Sequence, residues 1–137
     1  MFDVDSFKAI NDTHGHMFGD YVLQNIATQV KAIIREQDAL ARIGGDEFAV
    51  ILPGAPHEKA STVGKRIKEK IDRANFNTPS GSRVQVSVSV GVATCEDGEL
   101  CKTEPMMQLA DAALYEAKKI TQRVSVRRLE QFIQNAT

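Results

Sequence analysis

One short segment, Gly44-Gly45-Asp46-Glu47, constrains this chain more than any other. It separates two β-like runs, residues 39–43 and 48–52, and paired glycines between such runs predict a hairpin. Pro53-Gly54 ends the second run, because proline cannot donate to a ladder and glycine favours turns. Two adjacent antiparallel strands are therefore expected near the middle of a 137-residue chain, a length that suits one domain.

The flanking patterns supply the other elements. From Gly19-Asp20 onward, Val22, Leu23, Ile26, Ala27, Val30, Ile33 and Ile34 recur at three and four, the period of a helix with one apolar face. A second helix is expected over 56–74, with Ala60, Val63, Ile67 and Ile71 on its buried stripe. Residues 83–93 alternate, Val84, Val86, Val88, Val90 and Val92 facing one way, so a single long strand is expected there. Thr103-Glu104-Pro105 opens a third helix with Leu109, Ala113, Leu114 and Ala117 inward. Residues 124–137 read as a last strand followed by a solvated helix or linker. Met1-Phe2-Asp3-Val4-Asp5 reads as the end of a strand, shorter than the usual ~5 residues, so upstream chain is expected to complete it.

The order βαββαβ plus one helix predicts an α+β fold of ferredoxin-like or palm type, an antiparallel sheet with helices packed on one face. The expected limits are a domain over 1–125, lacking its N-terminal segment, and a C-terminal tail, helix or linker over 126–137. Lys+Arg 17 against Asp+Glu 18 argues against a nucleic-acid or membrane-surface binder, which usually carries a basic excess. Cys95 and Cys101 are too few for a disulfide framework and form no zinc spacing with histidine, so reduced thiols in a cytoplasmic setting are expected.

This topology carries a chemical consequence. If the third strand lies between the first and second, Asp3 and the Asp46-Glu47 pair meet at one edge of the sheet. Converging carboxylates repel, and a divalent cation with hard oxygen preference, such as magnesium, removes that cost. The arrangement hints at metal-assisted phosphoryl or nucleotidyl transfer. An ordinary solvated hairpin remains the alternative on spacing alone.

Several blocks stand together in order: Phe2-Asp3-Val4-Asp5-Ser6-Phe7-Lys8-Ala9-Ile10-Asn11-Asp12, Gly15-His16-Met17-Phe18-Gly19-Asp20, and Arg42-Ile43-Gly44-Gly45-Asp46-Glu47-Phe48. Ser89-Val90-Gly91 and Ala110-Asp111-Ala112-Ala113-Leu114-Tyr115-Glu116-Ala117-Lys118 follow. In these blocks the chain resembles the GGDEF family of diguanylate cyclases over nearly its whole length. The resemblance implies condensation of two GTP into cyclic di-GMP across a homodimer, with Mg2+ or Mn2+. It implies metal ligation by Asp3, the Val4 carbonyl, Asp46 and Glu47, with Asp46 and Glu47 as the catalytic pair.

For substrate, the resemblance implies phosphate contacts from the backbone of Ser6 and Phe7 and from Lys118, with Lys8 nearby. Gly44 and Gly45 would leave room for the nucleotide, as no Cβ intrudes. Asn11 and Asp20 would read guanine, a carboxylate accepting from a donor pair that adenine lacks. Residue by residue, plainer roles stay open: Asp20 as a helix cap, Asn11 as a turn former, Gly44 and Gly45 as turn geometry, Lys118 as a solvated charge. Arg35 and Asp38, with Arg66, match the family's inhibitory product site, although an exposed Arg35–Asp38 salt bridge explains the pair equally well.

The chain departs from the family pattern at Thr121-Gln122-Arg123, where Gln122 takes the usual position of a phosphate-binding arginine. A catalytically weak or silent GTP- or cyclic di-GMP-binding regulatory domain is therefore the alternative. Sensor or phosphodiesterase domains are the expected neighbours in a larger protein, which would be cytoplasmic or have this part on the cytoplasmic side of a membrane-bound sensor.

Overall fold

The computed structural model describes residues 1–136. In chain order the elements are β1 (Phe2–Val4), α1 (Phe7–His14), α2 (His16–Lys31), β2 (Ala39–Arg42) and β3 (Glu47–Ile51). There follow α3 (His57–Arg73), β4 (Phe76–Asn77), β5 (Arg83–Val84), β6 (Val88–Thr94), α4 (Thr103–Ala117), β7 (Val124–Arg128) and α5 (Leu129–Ala136). Five strands form one sheet in the order β2-β3-β1-β6-β7, and β4 pairs with β5 apart from it. The α+β class and the placing of β3 between β1 and β2 agree with the expectation. The sheet is mixed, however, because β7 returns through the α4 crossover and pairs parallel to β6.

Helices cover both faces, which corrects the one-sided packing expected. Neighbouring residues of a strand point to opposite faces. A Cβ at Gly64 of α3 would lie 2.6 Å from Val92, while a Cβ at Gly91 would lie 2.2 Å from the Leu114 backbone nitrogen of α4. So α3 packs on the Val90–Val92 side of β6 and α4 on the Gly91 side. The larger core lies on the first side, where Phe2, Val4, Phe48, Val88 and Val90 of the sheet meet Val22 and Ile26 of α2 and Ile67 and Ile71 of α3. The Phe2 and Phe48 rings stack there at 5.0 Å between centroids. On the second side α4 buries Leu109, Ala113, Leu114 and Ala117.

Four local expectations change. Residues 7–14, to which the sequence pattern assigned no element, form a helix, α1, and α2 begins at His16, earlier than its apolar stripe suggested. The single strand expected over 83–93 is broken: β5 turns back to β4, and the main ladder starts only at Val88. The boundary expected after residue 125 falls inside β7, whose pairing runs through Arg128, and Leu129 beyond it is fully buried. Finally, Cys95 and Cys101 are joined in a disulfide, against the reduced thiols expected. The turn between β6 and α4 brings their Cα atoms to 5.6 Å, within bridging range, although six positions separate them. Among the described residues, no helix is long and apolar enough to cross a membrane.

Closing so short a loop contributes about 2 kcal/mol in the chain-entropy model. A reducing agent should therefore lower the melting temperature of the wild type by several degrees and leave that of Cys101→Ser unchanged. Differential scanning fluorimetry with and without dithiothreitol measures both.

Candidate active site

The hairpin sets the site. β1 pairs antiparallel with β3 so that Asp3 lies opposite Glu47, and with β6 so that Asp3 also lies opposite Ser89. The Val4 amide donates to the Asp46 carbonyl at 3.1 Å, which draws the loop after β2 against the end of β1. The Arg42 guanidinium holds that loop from outside, donating to the Gly44 carbonyl at 3.1 Å and to the Gly45 carbonyl at 2.7 Å. Asp3, Val4, Asp46 and Glu47 are thus brought together, as the topology predicted.

Gly44 and Gly45 lie in the loop between β2 and β3, where the Gly44 amide donates to the Glu47 carbonyl at 3.3 Å, and neither has positive φ. A Cβ at Gly44 would crowd Glu47, at 3.3 Å from its Cβ. A Cβ at Gly45 would meet nothing within 4 Å, so that position borders open space beside the carboxylates.

Asp3 is a buried charge with one partner. The Lys118 ammonium, just past α4, pairs with Asp3 Oδ2, while Asp3 Oδ1 is buried and has no hydrogen-bond partner. Burial raises the Asp3 pKa; Lys118 opposes this, and the nearby charges of Asp46 and Asp5 reinforce it. Glu47 is raised too, first by burial and then by repulsion from Asp111, Asp3 and Asp46. The hydrogen bond to Asp3 raises Lys118, so it is held as an ammonium.

These features suit a divalent cation. An orphaned buried carboxylate oxygen and two mutually repelling acids lose their cost beside one. Among the described residues, no group of three or more His, Cys, Asp or Glu side chains is arranged to hold a metal alone. Remaining ligands would have to come from backbone and substrate, the usual magnesium arrangement.

Asn11 lies in α1, not in a turn, and its Oδ1 is buried without a partner. That oxygen packs against Gly19 so closely that a Cβ there would fall 1.8 Å from it. Asp20, next in sequence, is exposed on α2 and sits five positions into the helix, so it does not cap it; the N-cap is Gly15. Asn11 and the α2 turn bearing Asp20 are therefore adjacent. Ser6 has left-handed backbone at φ 54° and ψ 37°, and Phe7 begins α1. Lys8 is exposed. Arg123, the neighbour of Gln122, turns its guanidinium to the Lys118 carbonyl at 3.0 Å.

Arg35 and Asp38 lie at the opposite end of β2 from the hairpin. There they form the salt bridge that the plain reading allowed: Arg35 Nη2 to Asp38 Oδ1 at 2.7 Å, with a second donation to the Pro53 carbonyl at 2.9 Å. This hydrogen bonding lowers the Asp38 pKa. Arg66 instead lines a groove of about 430 Å³ between the end of α2 and α3, with Gln29, Lys70 and Arg73; Arg35 and Asp38 do not line it. Sequence reasoning assigned no role to Asp5, Ser89 or Asp111. Asp5 lies in the turn just past β1, where strand alternation no longer applies, so the sequence carried no signal for it.

A mixed sheet with acidic side chains gathered at the ends of its central strands defines a palm-type α+β domain. The model of the family described as "Diguanylate cyclase, GGDEF domain" matches residues 1–123, and the chain belongs to that family. The chain is 38% identical over 120 residues to the probable diguanylate cyclase DgcT of Escherichia coli strain K12, covering 87% of this chain and 26% of that protein. Diguanylate cyclase A of Treponema denticola is 37% identical over 119 residues, covering 87% and 32%. The chain thus spans about a quarter to a third of these relatives. Among solved structures, the GGDEF domain of DgcB from Caulobacter crescentus in complex with c-di-GMP superposes with a TM-score of 0.82 at 31% identity. That match covers 94% of this chain and 75% of that one.

The raised Glu47 pKa has a definite sign. The folded state holds this proton more tightly than the unfolded state, so the contribution is present below the ordinary value and is lost as pH rises through the raised one. In EDTA at pH 7, Glu47→Gln should therefore melt above wild type by roughly 2–4 °C. The gain should shrink toward pH 4.5, and Mg2+ should raise the melting temperature of the wild type more than that of the variant.

Proposed function

We propose that this chain is the catalytic domain of a diguanylate cyclase, joining two GTP into cyclic di-GMP by nucleotidyl transfer across a homodimer. The observation that carries this reading is the pairing of Asp3 with Glu47 across adjacent strands, where both carboxylates are kept at an electrostatic cost. Mg2+ or Mn2+ bound by Asp3, Glu47, Asp46 and the Val4 carbonyl would neutralise the triphosphate and acidify the attacking 3′-hydroxyl.

The chain's own groups do the rest. The amides of Ser6 and Phe7 receive phosphate oxygens, and Lys118, with Lys8 nearby, adds positive charge. Open space beside Gly45 admits the nucleotide, and Gly44 leaves room for the Glu47 side chain. Asn11 and Asp20 read guanine, Asp20 accepting from the N1 and N2 donors and so selecting against adenine. Asp46 and Glu47, which would hold the metal beside the attacking hydroxyl, are the pair assigned to the catalytic step. Each half of the dimer supplies one GTP, so turnover needs two copies.

The setting we propose is cytoplasmic, either free or as the cytoplasmic part of a membrane-bound sensor. Sensor or phosphodiesterase domains would fill the length by which relatives exceed this chain. A second reading, a silent regulatory domain that binds GTP or cyclic di-GMP, is favoured by Gln122 and by the engagement of Arg123 with the Lys118 carbonyl. Incubation with GTP and Mg2+, followed by mass spectrometry for cyclic di-GMP, separates the two. The cyclase reading expects product from wild type and none from Glu47→Ala; binding without product supports the regulatory domain.

Product inhibition belongs to the same proposal, through Arg35 and Asp38; Arg66, which lines a separate groove, would join them only across a further surface of the ligand or a second copy. An arginine fork grips phosphate or guanine acceptors, and an aspartate accepts from guanine donors. Arg35 is half exposed at the surface, so a ligand can reach it, whereas the Asp38 side chain is almost fully buried beneath it and would have to be uncovered to accept from guanine. Calorimetry with cyclic di-GMP should give binding to wild type and a loss of about tenfold or more in Arg35→Ala. Equal binding by the two proteins would leave the pair as a salt bridge alone.

A further inference from the structure

Asp5 is the carboxylate at the site to which the proposed chemistry gives no role. It lies one residue past the end of β1, in the turn that leads to Ser6 and α1. Its Oδ1 accepts a hydrogen bond from Ser89 Oγ at 2.6 Å, and Ser89 is fully buried in β6. Its amide donates to the Ser87 carbonyl at 2.9 Å. Both the backbone and the side chain of Asp5 are therefore tied to the strand segment that borders β1.

The next residue explains why such a tether matters. Ser6 adopts left-handed backbone, uncommon for a residue with a Cβ, and its side chain makes no capping bond to α1. A conformation of this kind persists when its surroundings hold it. It turns the chain from β1 into α1, whose first amides lack acceptors within the helix. Those are the amides of the proposed phosphate cradle. A carboxylate accepting from a hydroxyl makes a stronger anchor than a neutral pair.

We propose that Asp5, clamped by Ser89, is a positioning residue for the nucleotide's triphosphate: it holds the left-handed turn at Ser6 so that the Ser6 and Phe7 amides are preset for phosphate oxygens. The inference rests on the nucleotide reading of this site. It concerns residues that touch no phosphate themselves.

Calorimetry on this chain with Mg2+ tests it, using GTP and GMP against wild type, Ser89→Ala, Asp5→Ala and Asp5→Asn. The first two variants should weaken GTP about tenfold, the loss of one charge-assisted hydrogen bond, and GMP far less. Asp5→Asn keeps an acceptor for Ser89 and should recover most of the GTP affinity. Equal GTP affinity in all four proteins overturns the positioning role. So does an equal loss for GTP and GMP that follows the melting temperature and is not rescued by asparagine. Failure of the wild type to bind GTP at all would overturn the nucleotide reading itself, an outcome distinct from these two.

Discussion

The register of β1 is the constraint on which the rest of the molecule depends. This strand has three residues, is buried throughout, and is hydrogen-bonded on both sides, to β3 and to β6. Its alternation sends Phe2 and Val4 into the core under α2 and α3, and leaves Asp3 on the opposite face. A slip by one residue would bury the carboxylate in that core and expel both apolar side chains, so the register is strongly enforced. Because Phe2 stacks on Phe48 in the enforced register, Glu47 must lie across from Asp3. The acidic edge is thus a by-product of apolar packing on the other side of the sheet.

A second close contact completes that edge. Gly91 lets the α4 backbone rest directly on β6, since any side chain there would collide with Leu114 and Ala110. The helix so placed ends where Lys118 reaches Asp3. The ammonium offsets part of the cost of burying Asp3, yet Oδ1 remains unsatisfied and the net shift is still toward the protonated acid. The fold therefore holds acidic groups whose repulsion is only partly relieved from within the chain, the expected signature of a site completed by a ligand.

Much of this was legible in the sequence because it is written in local periods. The hairpin, expected over 44–47 and found over 43–46, and the stripes of α2, α3 and α4 follow from spacing, and with them the convergence of Asp3 and Glu47. Elements too short to express a period were not legible: α1 is eight residues with Ile10 its one fully buried position, and β4 and β5 have two residues each. The alternation of 84–92 suggested one strand because valine patterning records burial, not pairing. Val86 is buried without belonging to the ladder. The cysteine pair misled for a different reason, since counting thiols says nothing of how near a turn brings them.

By itself the sequence determined the order and type of the main elements and the family, because these reside in residue spacing and in motifs read along the chain. The tertiary structure alone decided which of the motif residues act on one another. It separated α3 from α4 onto opposite faces, through the small residues Gly64 and Gly91 at points where helix and strand approach too closely for a Cβ. It set Asn11 against Gly19, tied Asp5 to Ser89, and locked Arg35 to Asp38 while leaving Arg66 in another groove. Such pairings depend on distances across the sheet and between helices, and no period along a chain encodes them.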